Sequence, residues 1–146
     1  MTTPSSHVNG YDQSKHWAAP ARNFRSSARL HLQLQHLLMR NTLGYLLEPT
    51  VEKSVANTRP LKVADLACGN GIWLTELHSH LARNNVSAQL DGFDINPIYF
   101  PQAAYPPSTV SLKQLDILAK PLPNELTCIY DVVHFGLLVA SSPAQT

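Results

Sequence analysis

The stretch VADLACGNGIWLTEL, residues 63–77, decides the reading of this chain: an apolar run, a turn with glycines at 69 and 71, and an immediate start of helical apolar spacing. Strand, tight turn and helix in that order form the first crossover of a parallel sheet. Glycine in such a turn takes positive φ and lets the main chain come into van der Waals contact with a ligand. The N–H groups of a helix beginning near Ile72 then point outward and suit a carboxylate or phosphate.

Outward from this segment the same alternation continues. LKVADLA (61–67) reads as the first strand, and GIWLTELHSHLARNN as an amphipathic helix burying Ile72, Leu74 or Leu77, and Leu81. AQLDGFDI (88–95) is a second strand and VSLKQLDI (110–117) a third. YDVVHFGLLVA (130–140) is a fourth, and the Pro-rich NPIYFPQAAYPPS between the second and third is a broken loop or short helix. Strands apolar enough for cover on both faces and separated by crossovers predict an α/β fold, a Rossmann-like doubly wound parallel sheet. Upstream, Leu30, Leu34, Leu37 and Leu38, with Leu43 or Leu46, recur at helical spacing, with Ser26 or Ser27 as N-cap and Pro49 as the stop. A second short helix is expected over Pro49 to Ala56, then a linker at NTRP. The organisation expected is a flexible arm over 1–24, a helical lead-in over 25–58, and a partial sheet domain over 61–146.

The turn also selects its ligand. A dinucleotide fingerprint needs glycine or alanine three residues after the second glycine, where this chain has Leu74, and a phosphate-binding P-loop needs a lysine that the turn lacks. Asp94 ends the second strand 23 residues past Gly71, where a carboxylate accepts from both hydroxyls of a ribose. Asp116 stands at the end of the third strand, placed for an exocyclic adenine amine, with Ile95 and Ile117 as walls for the ring. Asp65 is suited to order the glycine turn or to receive an ammonium group. For each aspartate the alternative is a residue that caps a turn. Together with the glycine turn they indicate an adenosine-bearing ligand, and the features point to S-adenosylmethionine.

The segments VADLACGNGIWLTEL, QLDGFDI, VSLKQLDI and YDVVHFGLLV, in this order and preceded by RLHLQLQHLL and LGYLLEP, resemble the class I S-adenosylmethionine-dependent methyltransferases. They are more closely similar to the fungal enzymes of secondary-metabolite biosynthesis. The resemblance covers about residues 25–140. It implies S-adenosylmethionine as cofactor, held by Asp65, Ala67, Gly69, Gly71, Asp94, Ile95, Asp116 and Ile117, with a small-molecule acceptor. Ala67 stands where many such enzymes have a first glycine. It also implies that the helix bearing Arg29, His31, Gln35 and His36, with Tyr11 and Trp17, folds over the site. A complete sheet of this class has more strands, so the chain is expected to be truncated after the fourth, leaving that strand free to pair in a homo- or hetero-oligomer.

Few residues suit proton transfer. His134, at the end of the fourth strand, is the candidate general base, against the alternative of a histidine bonded to backbone. His31 and His36 are expected to face solvent. His78 and His80 lie two apart on a helix and point apart, so no metal site is expected. Cys68 is expected to pack within the turn. With 11 basic and 10 acidic residues the chain calls for no nucleic acid and no membrane surface as partner. The charge is uneven: residues 1–62 hold 8 basic and 3 acidic groups, residues 63–146 hold 3 and 7. Two cysteines, no secretory pattern at the start and no long apolar run lead to a cytoplasmic expectation. Two further readings stay open, a non-methylating interaction module and an inactive product of a truncated gene.

Overall fold

The structure, a computed structural model, describes residues 21–119 and 121–136. Residues 1–20 of the arm expected over 1–24, with Tyr11 and Trp17, and the end of the fourth strand beyond residue 136 lie outside the described residues. Four strands, β1 (Leu61–Leu66), β2 (Ala88–Asp94), β3 (Val110–Gln114) and β4 (Val132–Phe135), form one sheet in the order β3-β2-β1-β4. All three pairings are parallel. The strands step outward from β1 to β2 to β3, and the chain then returns to place β4 on the other side of β1. The order reverses between β1 and β4, and the architecture is α/β and Rossmann-like.

Helix α3 (Ile72–Arg83) supplies the crossover from β1 to β2 and buries Trp73, Leu74, Leu77 and Leu81 against the sheet. These meet Leu61, Val63, Leu90 and Val110 in the core. Ile72, expected on the buried face, is only half-buried, and Trp73 takes that place instead. Close packing is enforced at Gly92, where an added Cβ would lie 2.6 Å from Leu112 Cδ2 and 2.8 Å from Leu74 Cδ1. Among the described residues the other crossovers contain only short 3-10 turns, Pro97–Tyr99 and Asn124–Leu126. On the opposite face the segment before β4 is tied down by Tyr130, whose hydroxyl donates to the buried Asp91 carboxylate at 2.9 Å. Burial and that carboxylate together push the Tyr130 hydroxyl pKa up. Val133 and Phe135 on this face remain more than half exposed.

The helical lead-in differs from its expectation at both ends. α1 (Ala21–Leu43) already includes residues assigned to the arm, so Ser26 and Ser27 lie inside the helix and are not its N-cap. It ends at Gly44, whose φ of 78° lets its N–H bond back to Arg40 O at 2.8 Å, the αL form of helix termination. Pro49 is not the stop. It is the first residue of α2 (Pro49–Ser54), where its missing N–H costs nothing, and the Glu48 side chain accepts from the N–H groups of Thr50 and Val51. Those bonds hold the Glu48 carboxyl below its ordinary pKa.

The leucine stripe is also turned the other way. Leu30, Leu34, Leu37 and Leu38 are 49–67% exposed. α1 docks instead through Leu32, His36 and Arg40, because the two basic side chains meet Glu76 of α3 at 2.9 and 3.1 Å. Arg29 donates to Phe100 O at the other end of the contact.

Candidate functional site

The turn after β1 is built from bonds that leave its outer surface open. Cys68 N–H donates to Phe93 O at 3.0 Å and Gly71 N–H to Cys68 O at 2.9 Å, which pins the turn to β2 and closes it on itself. Ala67, Gly69 and Gly71 all have positive φ, at 58°, 57° and 72°. The start of α3 has Gly71 in the left-handed region, and Asn70 Oδ1 accepts from Ile72 N–H at 3.2 Å. Leu32 of α1 rests on the turn, 3.2 Å from where a Cβ on Gly69 would stand.

Above the turn lies a cavity of about 330 Å³ at the carboxyl ends of β1 and β4, where the strand order reverses. Ligands of open parallel sheets sit at such a reversal. Its apolar walls include Leu32, Met39, Leu46, Val51 and Trp73, and Asp65, Ala67, Gly69 and His134 also line it. Asp65 and His134 are register partners on neighbouring strands and share a face of the sheet. Their side chains meet, His134 Nδ1 lying 2.8 Å from Asp65 Oδ1. An ionised carboxylate only accepts, so toward an ionised Asp65 the imidazole would donate from Nδ1. The same ring stacks on Trp73 with centroids 3.8 Å apart and planes 8° from parallel. Trp73 is fixed in turn by its indole N–H, which donates to Leu46 O at 3.1 Å.

Asp65 is buried, and burial pushes its carboxyl pKa up while His134 pulls against that shift. Burial next to Asp65 and Asp94 drives the Cys68 thiol far above its ordinary value, so it packs within the turn as a neutral group.

The remaining residues named from the sequence lie around this centre. Asp94 ends β2 as expected and is already engaged: Oδ2 accepts from Gly69 N–H at 2.8 Å and Oδ1 from Asn96 N–H at 2.9 Å. A carboxylate has about four acceptor positions, so capacity for a ligand remains. Gly71 faces inward, its absent Cβ making room for Leu112. β3 stops at Gln114, which places Asp116 and Ile117 in the turn beyond it and corrects their assignment to the strand. Asp116 is exposed and its Oδ1 accepts from Leu118 N–H at 2.9 Å. Ile95 is exposed too, and Gly71, Asp94, Ile95, Asp116 and Ile117 all lie outside the cavity lining.

His36, expected in solvent, has a side chain only 12% exposed because Glu76 holds it against α3. His31 stays exposed beside Gln35. His78 and His80 do point apart, to Thr109 and to Glu52, and among the described residues no cluster suits a metal ion. Sequence reasoning missed the Asp65–His134 bond and the part of Trp73. The signal was present, since a strand order that reverses at β1 brings Asp65 beside the end of the fourth strand.

Strand order, glycine turn and cavity define an α/β protein of Rossmann-like fold with a candidate ligand site at the strand reversal. Over 85 residues the chain is 38% identical to Methyltransferase grgD of Penicillium sp, a match that takes in 56% of this chain and 29% of that protein. The chain thus corresponds to less than a third of its relative, and the likeness supports a methyltransferase. No family model matches the chain, and no solved structure matches it. Among the described residues no helix is long and apolar enough to cross a membrane.

Proposed function

We propose that the chain is the cofactor-binding part of an S-adenosylmethionine-dependent methyltransferase that acts in the cytoplasm on a small-molecule acceptor of secondary-metabolite type. One observation carries the reading: the glycine turn opens into a cavity at the strand reversal, with a buried carboxylate, Asp65, on its wall. Asp65 Oδ1 is taken by His134, and among the described residues Oδ2 has no hydrogen-bond partner, which suits an ammonium group. Ala67 and Gly69 let the backbone approach the ligand. Asp94, which holds the turn through Gly69 N–H outside the cavity lining, would take ribose hydroxyls, and Asp116 with Ile95 and Ile117 would border the adenine.

When bound, the cofactor supplies a sulfonium methyl group open to direct displacement. The chain's own contribution is orientation and dryness: Leu32, Met39 and Leu46 exclude water, and α1 closes over the turn. His134 is placed to take the proton of the acceptor.

The test is a calorimetric titration of S-adenosylmethionine and S-adenosylhomocysteine into the full chain and into Asp94→Asn. Asp94→Ala is a poor control, because it would also strip the Gly69 N–H of its acceptor; the asparagine keeps one carbonyl oxygen in place. Binding that weakens at least tenfold in Asp94→Asn, with unfolding still cooperative, is the expected result. A folded wild-type chain that binds neither compound would sink the proposal.

A second reading has its own observation. β4 is an edge strand, and Val133 and Phe135 on its outer face are 55% and 53% exposed. Among the described residues the outer edge of β4 has no strand beside it, and an unpaired edge invites pairing, so a homo- or hetero-oligomer formed through β4 is the companion proposal. A sedimentation experiment that finds only monomer at high concentration removes it.

A further inference from the structure

Side chains from two other elements meet the imidazole of β4, one at its edge and one on its face. β1 contributes Asp65, 2.8 Å from Nδ1; β4 contributes His134 itself; α3 contributes Trp73, stacked on the ring at 3.8 Å. The carboxylate is 3% exposed and the histidine side chain 32%, so the bond is buried while the ring keeps an open side. His134 lines the cavity, and among the described residues Nε2 has no hydrogen-bond partner. A histidine bonded to backbone, the alternative at the start, is not what the structure holds.

We propose that Asp65 and Trp73 are positioning residues that fix His134 in its Nδ1–H tautomer, with a bare Nε2 turned to the cavity as the general base toward a hydroxyl acceptor on an apolar scaffold. A carboxylate at Nδ1 does two things. It selects the tautomer that leaves Nε2 as an acceptor, and it stabilises the imidazolium that forms when Nε2 takes a proton. Trp73 removes the ring's rotational freedom about its outer bond, since turning the imidazole would break the 8° stack as well as the hydrogen bond.

The acceptor class follows from the walls. Leu32, Met39, Leu43, Leu46 and Val51 give the cavity a mainly apolar wall, and of the charged side chains that also line it His36 and Arg40 are held by Glu76 and Glu48 by the N–H groups of α2. A hydroxyl on such a scaffold needs its proton removed as it becomes the nucleophile. An amine bearing a free lone pair does not need a base before attack.

The inference rests on the methyltransferase reading for its reaction, and the step balances. The acceptor oxygen forms a bond to the methyl carbon, the carbon–sulfur bond breaks, and its electron pair stays on sulfur as a thioether. The hydroxyl proton passes to His134 Nε2, and no oxidant or reductant is required. The other ionisable groups around this centre are Asp94 and Cys68 by the turn, Tyr45 and Glu48 ahead of α2, and His36 and Arg40 of α1, the last two already paired to Glu76.

Long-range proton–nitrogen spectra of the full chain labelled at histidine nitrogen test the arrangement directly, with His134→Gln used to assign the signal. At neutral pH the expected spectrum shows Nδ1 protonated and Nε2 bare in the wild type, and loss of that preference in Asp65→Asn, whose amide can donate to Nδ1. A second readout is acylation by diethyl pyrocarbonate, mapped by mass spectrometry. His134 should react at least tenfold more slowly in Asp65→Asn, while the exposed His31 reacts at an unchanged rate and so controls for unfolding. A wild-type Nε2 that carries the proton, or a tautomer and acylation rate indifferent to Asp65, overturns the inference. S-adenosylhomocysteine separates this failure from that of the methyltransferase reading. If the wild type does not bind it, the reaction assigned here falls with that reading; if it binds while Nε2 is protonated, only the present inference falls. If His134→Gln weakens its binding more than tenfold, His134 is a cofactor contact and the base assignment is overturned.

Discussion

Replacing Gly71 by alanine separates two demands that the turn makes on one residue. The first is the backbone: at φ 72° an L-residue pays about 1–2 kcal/mol for left-handed geometry. Against this, alanine has less freedom than glycine to lose on folding, a gain of about 0.5–1 kcal/mol. The second is space. The new Cβ would stand 3.0 Å from both Cδ1 and Cδ2 of Leu112, a side chain held between β3 and α3, and overpacking of that kind costs about 1–3 kcal/mol. Gly71→Ala is therefore expected to destabilise the protein by about 1.5–4 kcal/mol.

Gly44→Ala is the matched control, with φ 78° and nothing within 4 Å of the added carbon, so that only the backbone cost remains, about 0.5–1 kcal/mol. Urea unfolding followed by tryptophan fluorescence measures both. Repeating Gly71→Ala in a Leu112→Ala background should recover at least about 1 kcal/mol, since the shortened side chain no longer opposes the Cβ. Equal costs at positions 44 and 71, or a coupling indistinguishable from zero, would refute the placement of Leu112 under the turn.

The remaining predictions concern charge. Burial raises the Asp65 pKa, so the folded state holds its proton longer and stability falls as pH rises from the unfolded aspartate value through the raised folded one; Asp65→Asn should flatten the stability profile in that window. Glu48 has the opposite sign, because its pKa is lowered: its contribution is complete above its ordinary 4.5 and fades as pH falls, and Glu48→Gln should remove that acid sensitivity. Unchanged profiles in equilibrium unfolding would contradict either statement. Glu76→Gln frees His36 and Arg40 together, at a cost of no more than about 1 kcal/mol for such partly exposed pairs. Amide exchange should quicken along α1 while β1 and β2 keep their protection; equal quickening in the strands would show that the pair holds more than the helix.

How much of this was legible in the chain differs between elements for physical reasons. The strands and α3 could be read because apolar spacing and glycine punctuation are local signals, and they agree with what the sheet requires. α1 misled because its leucines are periodic, which is evidence for a helix but not for which side of it docks. The docked side is chosen by Glu76, forty residues past His36, and a polar clamp of that separation leaves no periodic trace. Pro49 misled similarly: proline both ends and begins helices, and only the Glu48 side chain, turned onto the N–H groups of Thr50 and Val51, shows which applies.

The site was half legible for a related reason. Asp65, Gly69 and Gly71 sit in one short stretch, so their company could be seen, whereas the Asp65–His134 pair is made by topology. A strand order of β3-β2-β1-β4 sets β4 against the free side of β1, and the parallel register then pairs residue 65 with residue 134. A shift of one residue in that register would send His134 to the other face, away from Trp73 and the cavity. The Asp131 contacts at the start of β4 oppose such a slip: its N–H donates to Lys62 O at 2.9 Å and its carboxylate accepts from Lys62 N–H at 2.8 Å. The pair of bonds at the entrance of β4 thus holds the register that sets His134 beside Asp65 at its exit. Asp131→Ala should accordingly loosen the histidine's tautomer preference although it touches neither His134 nor Asp65.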